Sequence, residues 1–174
     1  MPGKLQSTAR VLVAVTSIAA FGLVVPQASA VATPKASGVT LLPEAKSETR
    51  AIAAADPQAV QAMASLCGSG YALTYAERLP DATRFGTLFT YKNAAGASCA
   101  VFDNNSGFTK YMKLKLCENS HGQPCVTDEG NFSQYAGPVR VKSGFCATVT
   151  AIMKDSKSSH AALIDRVTTV PPCD

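Results

Sequence analysis

The chain has 174 residues, 16 Lys and Arg against 12 Asp and Glu, a formal net charge of +4, and 47% hydrophobic residues. Two of the basic residues, Lys4 and Arg10, fall in a segment read below as removable; without them 14 basic face 12 acidic residues, a net of +2. That balance is too even for the basic stripe that nucleic-acid binding requires.

Lys4 and Arg10 precede an uncharged apolar run, Val11 to Val25, and Pro26-Gln27 then leads into Ala28-Ser29-Ala30. A basic start, a short apolar core and an Ala-x-Ala site describe a secretory signal peptide over 1–30. The run is about 15 residues, short of the roughly 20 needed to span a bilayer. No later stretch is longer or more apolar, so the mature chain is expected to be exported and soluble, without membrane attachment. Residues 31–66 contain no cysteine and no aromatic residue and are rich in Ala, Pro, Lys and Glu. Little bulky apolar surface predicts a flexible arm or propeptide. One part of it reads as ordered: Asp56 can cap a helix, Pro57 suits the first helical position, and Ala-rich sequence carries the helix over 57–66.

From Cys67 to Asp174 the text becomes short β-like runs punctuated by Gly, Asn, Asp and Pro. The runs are 71–78, 84–92, 97–103, 110–117, 135–141, 145–154 and 161–168, with a polar loop over 118–130. The clearest is Lys110-Tyr-Met-Lys-Leu-Lys-Leu-Cys117, where Met112, Leu114 and Leu116 alternate with Tyr111, Lys113 and Lys115. Period-2 alternation marks a strand with one buried and one wet face. The expected fold class is all-β: a single disulfide-braced sandwich or barrel of about seven short strands, preceded by the short helix and the arm.

Six cysteines, Cys67, Cys99, Cys117, Cys125, Cys146 and Cys173, all follow the signal. An even count in an exported chain predicts three disulfides. Fifteen connectivities are open; the short, turn-rich loop between them favours Cys117–Cys125. There is no Cys-x-x-Cys pair, and neither a metal nor another cofactor is expected.

Catalytic signals are weak. His121 and His160 lie in polar, Ser-containing loops, and a hydrolase would need a nucleophile and an orienting carboxylate beside one of them. Gly68-Ser69-Gly70 lacks the full nucleophile-elbow pattern. Asp128-Glu129 reads as a polar turn. No catalytic residue is expected. The candidate binding surface is the wet face of the alternating strand, Tyr111, Lys113 and Lys115, with Lys92 as a further basic contributor.

Five stretches, Leu66-Cys67-Gly68-Ser69-Gly70-Tyr71, 84–92, 99–104, 110–117 and 128–139, together resemble the spore-associated protein A family, small secreted proteins of sporulating actinomycetes. The resemblance covers roughly 67–173. It implies a secreted, spore-associated protein without an assigned enzymatic activity, and it carries over no catalytic residues. Three readings stay open: a spore- or envelope-associated structural protein whose partners are spore or cell-wall components, a secreted binding module such as a protease inhibitor or carbohydrate binder, and a small hydrolase. The oligomeric state is open.

Overall fold

The computed structural model describes residues 38–81, 84–119, 124–170 and 173. The predicted signal 1–30, the first part of the arm and His121 lie outside the described residues. Two helices, α1 (Ser47–Ala55) and α2 (Pro57–Cys67), precede eight strands: β1 (Tyr71–Leu79), β2 (Gly86–Asn93), β3 (Ser98–Asn104), β4 (Lys110–Cys117), β5 (Cys125–Phe132), β6 (Tyr135–Val141), β7 (Thr148–Lys154) and β8 (Ile164–Thr169). The strands form two antiparallel sheets, ordered β1-β2-β3-β6 and β5-β4-β7-β8.

The sheets pack face to face. Leu88 and Phe102 from the first meet Met112, Leu114, Leu116, Val149, Ala151 and Met153 from the second in one core. The alternation read in β4 is what fills it: Met112, Leu114 and Leu116 are fully buried. The helices cover the other face of the first sheet. There Ile52, Ala53 and Val60 pack on Leu73, Ala76, Phe89, Tyr91 and Val101. Strands β2 and β3 are thus apolar on both faces, the pattern expected of strands sandwiched between two layers.

Two expectations need correction. The arm holds a second helix. Thr49, Ile52 and Ala53 of α1 are buried at helical spacing, and the Ala76 N–H donates to Thr49 Oγ1 at 3.1 Å. Small residues let this helix approach the sheet closely, so a lack of bulky groups did not mean a lack of burial. The predicted helix is present as α2, with Asp56 Oδ1 accepting from the Ala59 N–H at 3.2 Å and Pro57 in its first turn. The predicted polar loop contains β5, which makes eight strands rather than seven. It is an edge strand whose side chains are mostly exposed, so no apolar face announces it; backbone pairing with β4 from Lys110↔Phe132 to Cys117↔Cys125 defines it.

The disulfides are Cys67–Cys99, Cys117–Cys125 and Cys146–Cys173. Cys99 is near the start of β3, Cys117 ends β4, Cys125 opens β5, Cys146 precedes β7 and Cys173 follows β8. With antiparallel strands these positions fall at one end of the sandwich. The same end is laced by Glu118, whose Oε1 accepts from the Lys142 and Ser143 N–H groups. The loops at the opposite end carry no disulfide. The open sides of the sandwich are closed by polar contacts. Arg166 Nε of β8 donates to Glu77 Oε2 of β1 at 2.8 Å, and Asp128 Oδ2 of β5 accepts from the Gly137 N–H of β6 at 2.7 Å.

Candidate functional site

The outer face of the second sheet gathers most of the residues singled out in the sequence. Along β4 it shows Tyr111, Lys113 and Lys115. Strand register sets Lys113 opposite Glu129 of β5, Lys115 between Thr127 and Thr150, and Tyr111 opposite Lys154 of β7. Lys157 folds over from the β7–β8 loop. Lys92 does not join this face; it lies in β2 of the other sheet.

Glu129 is the hub. Lys157 Nζ is 3.0 Å from its Oε1 and Lys113 Nζ is 3.3 Å from its Oε2. Hydrogen bonds from Lys157, then Tyr111 and Lys113, hold its carboxyl down to about 2. The Tyr111 hydroxyl is pushed up, first by desolvation and then by Glu129. Tyr111 was expected to be wet, yet it is 8% exposed. The Lys157 ammonium stands 5.9 Å from the centroid of its ring, a cation–π lid placed there by a loop distant in sequence. Lys113 and Lys157 are therefore engaged within the molecule. Lys115 and Lys154 make no ion pair among the described residues. The face as a whole sets four lysines against Glu129 and Asp165, and so keeps a positive excess.

The shift on Glu129 gives a pH prediction. Its folded value lies below the ordinary 4.5, so the stabilisation it brings is complete above that value and disappears as pH falls through about 2. Unfolding midpoints of the parent and Glu129→Gln should differ at about pH 7 and converge towards about pH 2. A gap that stays constant across that range would show that the ion pairs contribute nothing.

A second feature lies at the disulfide-free end. A cleft of about 490 Å³ opens between α2 and the β5–β6 turn, with Met63 and Leu66 on one wall and Asp103, Ser133, Gln134 and Tyr135 on the other. Register places Arg78, Thr87, Asp103 and Tyr135 side by side across the first sheet. This polar row lies on the helix-facing side of the sheet. Burial raises the Asp103 carboxyl, while a hydrogen bond from Asn105 and the charge of Arg84 pull it back; Asn105 Nδ2 donates to its Oδ2 at 2.6 Å. Sequence reasoning missed this row, because its members come from four separate strands and only cross-strand pairing brings them together.

The structure separates the other candidates. Asp128 and Glu129 point to opposite faces of β5, Asp128 to the Gly137 N–H and Glu129 to the lysines. His160 is exposed in the β7–β8 loop. No Ser, Asp or Glu side chain is hydrogen-bonded to it among the described residues. No helix among the described residues is long and apolar enough to cross a membrane.

The chain is 31% identical over 97 residues to Spore-associated protein A of Streptomyces coelicolor, a match covering 55% of this chain and 62% of that protein. The chain thus matches less than two thirds of the relative's length. The match supports the resemblance read from the five sequence stretches, and with the three disulfides it agrees with an extracellular or spore-surface location. No family model matches the chain, and no solved structure matches it.

Proposed function

We propose that the chain is an exported protein of the spore or cell-wall surface that binds anionic wall polymer and catalyses no reaction. The observation that carries the reading is the outer face of the second sheet, where Lys113, Lys115, Lys154 and Lys157 outnumber Glu129 and Asp165. Similarity to a spore-associated protein supports the setting. An exposed His160 that has no hydrogen-bonded nucleophile or carboxylate among the described residues supports the absence of turnover at that residue. Lys115 and Lys154 would make the primary contacts, since Lys113 and Lys157 must first loosen from Glu129.

The test is pull-down of the disulfide-bonded protein with washed wall material. Retention should fall as salt rises through about 0.15 M, where exposed charges are screened beyond roughly 8 Å. It should fall severalfold in Lys115→Glu with Lys154→Glu. Unchanged retention in that double variant would remove the lysine face from the reading. Steady hydrolysis of a peptide, ester or glycan that is abolished by His160→Ala would overturn the non-catalytic reading.

The cleft favours a second reading, a carbohydrate binder. Met63, Leu66 and Tyr135 offer apolar surface to the C–H face of a sugar ring, while Asp103, Ser133 and Gln134 offer hydrogen-bonding partners to its hydroxyls. The same end of the molecule exposes Phe85 and Phe108. The same pull-down separates the two. Retention that persists at high salt, is displaced by soluble neutral wall oligosaccharide and is lost in Gln134→Ala belongs to the cleft.

A further inference from the structure

An open sandwich has four edge strands, and each edge presents backbone N–H and C=O groups that another chain can extend. Here the edges are β1, β6, β5 and β8. Three are covered or blunted. Segment 40–42 runs beside β1, with the Leu73 N–H donating to Thr40 O at 2.9 Å and the Leu42 N–H to Leu73 O at 3.0 Å. Strand β6 contains Pro138, which has no N–H to offer, and its Arg140 reaches the carbonyls of Leu66 and Cys67 at the end of α2. Strand β5 is drawn onto β6 by the tight turn at Ser133-Gln134 and by the Asp128 contact to the Gly137 N–H.

Strand β8 is held towards β1 by the Arg166–Glu77 side-chain pair, but its backbone edge is left open. It pairs with β7 on one side, from Thr148↔Thr169 to Met153↔Ile164. Among the described residues no backbone hydrogen bond reaches its other side. It contains no Pro, Gly or Lys, and Ile164, Val167, Thr168 and Thr169 are β-branched. Val167 is 59% exposed.

We propose that this edge pairs antiparallel with β8 of a second copy, about a two-fold axis through Val167. The strand itself selects the occupant. A two-fold perpendicular to the sheet keeps corresponding faces together, so the axis must pass through a residue rather than between two. On Val167 it sets Val167 against Val167, Asp165 against Thr169 and Arg166 against Thr168: apolar meets apolar, and no like charges oppose. On Arg166 it would set two guanidinium groups against each other, which is unfavourable. On Thr168 it would shorten the overlap. Arg166 is already held by Glu77 within its own molecule, so the edge arrives at the encounter ordered. The result is one continuous eight-stranded sheet, with the lysine faces of both copies on the same side. A six-residue edge makes a small interface, so the dimer forms and dissociates with concentration.

Sedimentation velocity on the disulfide-bonded protein, up to about 1 mM, tests this. The expected result is a concentration-dependent monomer–dimer equilibrium. In Val167→Lys two ammonium groups oppose across the axis, and the dissociation constant should rise about tenfold or more. Val167→Thr should keep the dimer. Because Val167 is exposed, the thermal midpoint of Val167→Lys at low concentration should match the parent, which separates a lost contact from a lost fold. A monomer at every concentration, or a dimer that Val167→Lys leaves unchanged, would overturn the proposal. So would an equilibrium abolished by Lys115→Glu with Lys154→Glu but untouched at Val167, since that would place the contact on the lysine face.

Discussion

Leu114→Asp is expected to abolish the cooperative fold, while Lys115→Asp, one residue away, leaves it intact. Leu114 is fully buried between the sheets. Its neighbours in register are Asp128 on β5 and Ala151 on β7. Removing the leucine side chain alone costs about 2–5 kcal/mol in a packed core. The new carboxyl adds a desolvation cost of several kcal/mol if ionised, and it would sit beside the existing Asp128 carboxylate, which disfavours ionisation further. Together these approach the roughly 5–15 kcal/mol that holds a domain of this kind folded. Any native population that remains requires the neutral acid. A folded-state pKa raised above the unfolded value makes stability greatest at low pH and lost as pH rises, so the variant should be better folded near pH 4 than near pH 7 by about the size of that shift. Lys115 faces outward between two threonines, and surface charge changes stay within about 0.5 kcal/mol. The protein has no tryptophan, so tyrosine fluorescence and circular dichroism in urea are the readouts. Equal midpoints for the two variants would mean that β4 does not divide buried from wet as described.

The contrast between those neighbouring residues was legible because β4 lies inside a two-layer contact. One of its faces meets a core and the other does not, so alternation in the sequence copies alternation in the environment. Where that condition fails, the sequence is silent. In β5 most side chains are exposed, and nothing in Cys125-Val126-Thr127-Asp128-Glu129-Gly130-Asn131-Phe132 separates an edge strand from a loop. Phe89 and Tyr91 in β2 were readable as apolar, but their cover comes from α1 and α2, and α1 presents Thr49, Ile52 and Ala53 rather than bulky groups. The short loop pointed to Cys117–Cys125, which the structure pairs. The other two bridges span 32 and 27 residues, and loop closure over such distances leaves no local signature. The candidate face divides in the same way. Lys113 and Lys115 could be placed on one side of a strand, but Glu129 and Lys157 could not be assigned to Lys113 and Tyr111 without the register of β5 and the path of the β7–β8 loop.

The segment before Cys67 carries the second large effect. A chain starting at Cys67 is expected to lose its cooperative native state, whereas a chain starting at Gly38 keeps it. The helices bury Leu73, Phe89, Tyr91 and Val101 to 1% exposure or less. Burying such side chains stabilises by about 1.5–3 kcal/mol each, so exposing these four forfeits on the order of 6–12 kcal/mol. Specific polar partners go as well. The Tyr91 hydroxyl donates to Val60 O at 2.8 Å, and the buried Ala76 N–H loses Thr49 Oγ1; a buried donor left unpaired costs about 1–3 kcal/mol. The Cys67–Cys99 bridge would survive the cut, but it constrains the unfolded chain and covers none of the exposed face. The truncated chain should therefore bind an apolar dye, aggregate as its concentration rises and show no sharp urea transition. If 31–66 is instead a dispensable propeptide, the 67–174 chain will unfold with the same midpoint and slope as the 38–174 chain. Ile52→Asp in the longer chain serves as the check within a single molecule. It buries one carboxylate against the β1 surface, and it should weaken the single urea transition of the whole chain towards the behaviour of the 67–174 chain.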